Sequence, residues 1–156
     1  MRAFSGFAIR DSALLALTLL GWALSIVPKE GWIGGLLGGM TGLCALLLHE
    51  WGHLYGAHRA AAIIHPAPRL WLPFLFDVDS ANNTREQFLS ISLWGFAATF
   101  VFLVMFMVFL PLNELAGRVA LGVGALLASL TVIIEFPIAW RVYRGYSIPK
   151  VEIYRR

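Results

Sequence analysis

Leu47-Leu48-His49-Glu50-Trp51-Gly52-His53-Leu54 closes a run that carries no charge from Gly31 to Leu48. Read as a helix, this stretch puts His49 and His53 four residues apart on one face, where two imidazoles can hold a single Zn²⁺. Glu50 lies beside them as the group that orients water and takes its proton, the H-E-x-x-H arrangement of zinc hydrolases. Ionisable groups at the end of a spanning segment are costly, and a metal-dependent reaction is a reason to keep them. The bland alternative is a helix end at which the histidines meet headgroups and Glu50 meets a cation.

Composition places this stretch in a bilayer. The chain has 156 residues, 59% hydrophobic and 13% charged, with a mean hydropathy of +0.75, which does not fit a soluble domain. The expected fold is an all-α membrane protein of one domain, with four transmembrane helices at about 12–28, 31–54, 88–110 and 119–142. The first apolar run could instead end a signal peptide at Ala23 and Ser25, but the second begins about three residues after Pro28, as in a helical hairpin. Five glycines between Gly34 and Gly42 suggest that the second span packs closely on its neighbours.

Between the second and third spans, a loop at 55–87 holds Arg59, Arg69, Arg85, Asp77, Asp79 and Glu86. Its apolar piece, Arg69 to Asp77, is too short to span, so an extended or re-entrant segment is expected there. A basic tail occupies 143–156. Lys29 and Arg118 are the only two of the twelve basic residues outside the amino-terminal lead, this loop and the region from Arg141 onward. The positive-inside rule then makes both termini and the long loop cytoplasmic, in a cell inner or plasma membrane. These cations flank apolar runs without interleaved stacking aromatics, so nucleic acid is not an expected partner. Cys44 alone supplies neither a disulfide nor a thiolate site.

A hydrolytic zinc site takes three protein ligands, and Glu135 is the preferred third. It is the acid deep in the fourth span. Trp32 to His49 and Val119 to Glu135 both measure roughly 25 Å at the helical rise, which puts the two sites at similar depth. Pro137 should loosen the helix beside it. The competing reading keeps Glu135 neutral or pairs it with Arg141 near the interface. His58 falls one residue short of the third-histidine position of longer zinc-protease motifs, which is Arg59 here. His65, Asp77 and Asp79 are weaker candidates, and the two acids are expected to be solvated or paired with Arg69 or Arg85.

From Leu46 to Gly145 the chain resembles the site-2 proteases, intramembrane zinc metalloproteases. The resemblance rests on His49-Glu50-Trp51-Gly52-His53 followed by Ala57 and Arg59, on Leu72-Pro73, and on Trp94-Gly95-Phe96-Ala97-Ala98-Thr99. The last of these stands where the family has Ala-Gly-Pro-x-x-Asn, without the proline or asparagine. Aligning Phe136-Pro137 with the family's Phe-Pro puts Thr131 at an asparagine and Ala139 near the aspartate that is the family's third ligand; Glu135 lies one turn before it on the same face. The resemblance implies a metalloendopeptidase acting on a transmembrane protein or peptide through zinc-activated water, with Glu50 as base then acid. Leu70 to Phe76 would pair with an unwound substrate as an added strand. The alternative is a non-catalytic pseudoprotease of the same fold that binds or regulates a membrane partner. Diiron histidine-box enzymes need roughly twice the four histidines present.

Overall fold

The computed structural model describes residues 2–24, 26–72 and 74–150. After a single 3₁₀ turn at Arg2–Phe4, the helices are α1 (Ser5–Ala23), α2 (Gly31–Arg59), α3 (Arg85–Phe109) and α4 (Leu115–Leu130). A π-helical turn, Thr131–Glu135, joins α4 to α5 (Phe136–Tyr143), so that Leu115–Tyr143 forms one apolar rod. Four helices are therefore long and apolar enough to cross a membrane, and the chain is a multi-pass membrane protein by length and composition.

The chain is mostly helical, as expected, with two differences in detail. The fold is not purely helical, because β1 (Ile64–Pro66) and β2 (Phe76–Val78) pair antiparallel with His65 opposite Asp77. Within the segment expected to be extended or re-entrant, residues 69–72 turn back through Leu72 N–H to Arg69 O at 3.2 Å, and strand geometry begins at Phe76. Pro73 lies outside the described residues. The helix limits differ as well: α1 is displaced to Ser5–Ala23 from the expected 12–28, α2 continues to Arg59, α3 begins at Arg85 and the fourth rod at Leu115. Backbone groups near the membrane need partners, and helical hydrogen bonds supply them beyond the apolar windows.

Glycine sets how the helices meet. A Cβ on Gly52 would lie 2.6 Å from Trp94 O, and one on Gly56 2.6 Å from Ser90 O, so α2 and α3 touch backbone to backbone. Elsewhere on α2, Gly38 meets the α4 backbone, where an added Cβ would lie 2.5 Å from Ala116 O, and Gly42 seats the Val123 side chain, whose Cγ1 a Cβ would meet at 2.3 Å. Thr84 starts α3 with a capping box, accepting from Gln87 N–H while the Gln87 side chain accepts from Thr84 N–H. The hairpin is seated on the ends of α1, α2 and α3 through a buried cluster of Phe7, Ala57, Leu75, Phe76 and Ile91. Arg10 of α1 donates to the carbonyls of Leu70 and Leu72, which ties the first helix to the turn that leads into β2.

Candidate metal centre

Helix α2 carries His49, Glu50 and His53 on adjacent turns, and both His49 and Glu50 are buried. The ring nitrogens and the Glu50 carboxylate lie within 4.8 Å of one another, a group that could hold a metal ion. The π turn brings a further carboxylate to them. Phe136 N–H donates to Thr131 O, five residues back, which admits one extra residue into the turn directly before Pro137. Proline has no N–H to continue the normal ladder, and the local unwinding aims Glu135 across at α2. Glu135 Oε1 stands 3.2 Å from His49 Nε2, Glu135 Oε2 stands 3.3 Å from His53 Nε2, and the two Nε2 atoms are 3.0 Å apart.

Helix α3 fixes which imidazole nitrogen carries the proton. His49 Nδ1 lies 3.1 Å from Gly95 O and 2.7 Å from Thr99 Oγ1, and that hydroxyl donates in turn to Gly95 O at 3.1 Å. His53 Nδ1 lies 3.0 Å from Ile91 O. A carbonyl only accepts, so both Nδ1 atoms donate and both Nε2 lone pairs point toward Glu135. Outer-shell acceptors of this kind orient imidazoles for metal binding. Two lone pairs and a carboxylate converge on one point, a donor set that a divalent cation satisfies.

Two residues that carry no metal-binding group complete the arrangement. Gly95 lets the His53 ring lie against the α3 backbone, where a Cβ would fall 2.1 Å from His53 Cε1. Thr99 holds the His49 ring. Sequence reasoning had only the signal that both fall in the stretch resembling a family motif. Neither spacing nor composition says what they touch.

The other candidates lie elsewhere. His58 is exposed at the end of α2. Asp77 is buried in β2 and lines the same cavity as the histidines. Asp79 is buried too, and accepts from Asn82 Nδ2 at 3.0 Å and from His65 Nε2 at 3.3 Å. The expected pairing of these acids with Arg69 or Arg85 is corrected for Asp79, because those arginines turn away to Trp71 and Tyr143 respectively. Glu135 faces the two histidines rather than Arg141, whose guanidinium lies over Tyr146.

A cavity of about 570 Å³ opens onto the group. Its walls come from α2, α3, the α4–α5 rod and the edge of β2, and they are apolar apart from the site itself and Asp77, Ser92, Thr99 and Thr131. The backbone of Leu75 faces the Glu50 carboxylate, so the segment leading into β2 borders the site. No protein-family model, curated protein or solved structure matches the chain, and the chemistry of these side chains is what bears on its function.

Proposed function

We propose that the chain is an intramembrane zinc metalloprotease, with His49, His53 and Glu135 as the ligands and Glu50 as the proton carrier. The observation that carries this reading is the convergence of three side chains through four atoms, His49 Nε2, His53 Nε2 and the two Glu135 oxygens, at separations of 3.0, 3.2 and 3.3 Å, with both Nδ1 atoms engaged from behind. Tetrahedral Zn²⁺ with arms of 2.0–2.1 Å separates its ligand atoms by about 3.3 Å, so the donor set fits that ion. Two neutral imidazoles and one carboxylate leave the fourth position open.

When bound, the ion supplies Lewis acidity, polarising a peptide carbonyl and acidifying water. Glu50 then takes the proton that water loses as its oxygen bonds to the carbonyl carbon. The same carboxylic acid gives that proton to the amide nitrogen as the C–N bond breaks. The Leu75 backbone faces Glu50 where both transfers occur. The substrate must present an extended peptide, and β2 offers an edge for it. Leu75 O and Asp79 N–H point at the β1 side, through the bonds Ala67 N–H to Leu75 O and Asp79 N–H to Ile63 O, and Asp77 opposite His65 is in phase with them, so Phe76 and Val78 direct their backbone groups away from β1. Both line the cavity, and a substrate segment added as a strand there would run past the site. The substrate class is an apolar transmembrane segment, and the cytoplasmic orientation of both termini follows from the distribution of basic residues.

A second reading keeps the metal and drops the chemistry. A pseudoprotease that binds or regulates a membrane partner is favoured by one observation: where the resemblance calls for an aspartate ligand the chain has Ala139, which is buried. Metal analysis of detergent-purified protein beside a His49→Ala variant tests the site. Hydrolysis of an apolar peptide by the Glu50→Gln variant separates the readings. Loss of turnover by orders of magnitude with zinc retained supports the protease. Parent-rate cleavage by Glu50→Gln excludes Glu50 as the base.

A further inference from the structure

The chain reverses direction after α5. Gly145 adopts a left-handed φ of +100°, Tyr146 N–H donates to Arg141 O at 3.1 Å, and Gly145 N–H donates to Val142 O at 3.0 Å. These two bonds close the last turn of α5 as a Schellman motif, in which the residue after the cap takes the left-handed conformation. The turn is pinned on both sides. The Arg85 guanidinium donates to Tyr143 O and lies over the Tyr143 ring, and Arg141 lies 5.4 Å over the ring of Tyr146.

Beyond this turn the chain runs to the cavity. Pro149 lines it together with His49, Glu50, His53 and Glu135. Ile148 and Pro149 are half-buried while Ser147 and Lys150 on either side are exposed. Phe76 and Val78, whose outward backbone groups would pair with a substrate, line the same cavity.

We propose that residues 146–150 are an internal occupant of the substrate cleft, held there by the Gly145 turn and displaced when substrate enters. Proline suits this role because it has no N–H to donate to a strand edge. Pro149 therefore borders the cleft without aligning its own backbone for cleavage. The inference rests on the protease reading for its meaning as autoinhibition, but the occupancy itself does not depend on the metal.

The test uses labelling of a cysteine inside the cavity. Ser92 lines it, and Ser92→Cys in a Cys44→Ala background provides one thiol there. N-ethylmaleimide labelling is timed in detergent for the full chain, for the chain ended after Tyr146, for Gly145→Val and for Gly145→Asn. Ending the chain should speed labelling about tenfold, Gly145→Val should speed it several-fold because a β-branched residue resists positive φ, and Gly145→Asn should match the parent because Asn tolerates it. Rates within twofold of the parent for both the shortened chain and Gly145→Val would overturn the proposal. If the shortened chain does not fold, the contrast between Val and Asn at 145 decides alone. Zinc content of the same samples keeps the two ideas apart: tail-dependent labelling without zinc retains the occupant and removes the metalloprotease, whereas bound zinc with tail-independent labelling does the reverse.

Discussion

Gly95→Ala should abolish tight zinc binding although residue 95 carries no ligand. An added Cβ would sit 2.1 Å from Cε1, 2.4 Å from Nδ1 and 2.6 Å from Nε2 of His53. Carbon atoms in contact prefer about 3.5–4.0 Å, so the ring must retreat by roughly 1.5 Å. Metal–ligand distances tolerate about 0.2 Å, and a retreat of that size would disturb the His53 bond to Ile91 O at 3.0 Å or its 3.3 Å approach to Glu135. Moving α3 instead would drag Gly95 O from His49 Nδ1, and α3 is already held by Trp94 O against Gly52. The site loses one arm either way. Loss of a single outer-shell contact costs 10–100-fold in affinity, and displacing a ligand should exceed that, so zinc should bind at least about 100-fold more weakly, about 2.8 kcal/mol. Competition between the purified protein and a fluorescent zinc chelator measures this. Gly122→Ala is the control, because a Cβ there meets nothing within 4 Å. Gly95→Ala binding zinc within threefold of the parent would refute both the seat assigned to His53 and its role as a ligand.

Glu135→Gln should weaken zinc binding about 100-fold or more in the same assay, and Glu135→Asp should weaken it less, through a shortened reach, while Asp77→Asn and Asp79→Asn leave it near the parent value. In the hairpin, the Asn82 side chain above all, with His65 and the N–H groups of Asn82 and Ala81, holds the Asp79 carboxyl below the ordinary aspartate range against the opposing effect of desolvation. A depressed folded-state value means that this stabilisation is present above pH about 4 and lost as pH falls through the lower folded value; amide exchange in residues 63–83 should accelerate there, and Asp79→Asn should flatten that response. Cysteine labelling from each side of the membrane should place residues 60–84 on the same face as both termini, and labelling from the opposite face would reverse the orientation.

The four long helices and the juxtaposed histidine pair were legible because a 3.6-residue repeat sets His49 beside His53 and apolar length sets the spans. The approach of Glu135 to the histidines was legible through depth alone, since rise per residue is constant while the direction of a side chain is not. The π turn that directs it had only Pro137 as its sign. The hairpin was not legible, because two three-residue strands carry no alternation to read and exist through pairing and burial against α1, α2 and α3. Gly95 and Thr99 were hidden for the same kind of reason: a glycine that seats a ring and a hydroxyl that orients one differ from ordinary packing residues only in what lies opposite them.

The two glycine pairs of α2 have a consequence for lipid dependence. Because Gly38 and Gly42 lock α2 to α4, and Gly52 and Gly56 lock it to α3, the three helices meet a bilayer of unsuited thickness as one rigid wedge. A mismatch of a few Å would tilt that wedge without stretching the distances among His49, His53 and Glu135. α1 is joined differently, by Trp22 to Thr41, Thr18 to Cys44 and the Arg10 clamp on Leu70 and Leu72. Side-chain tethers bend where backbone contacts do not. Membrane thickness would therefore be felt at α1 and, through Arg10, at the turn before β2, so that lipid composition adjusts the entrance to the cleft while the ligand geometry stays fixed.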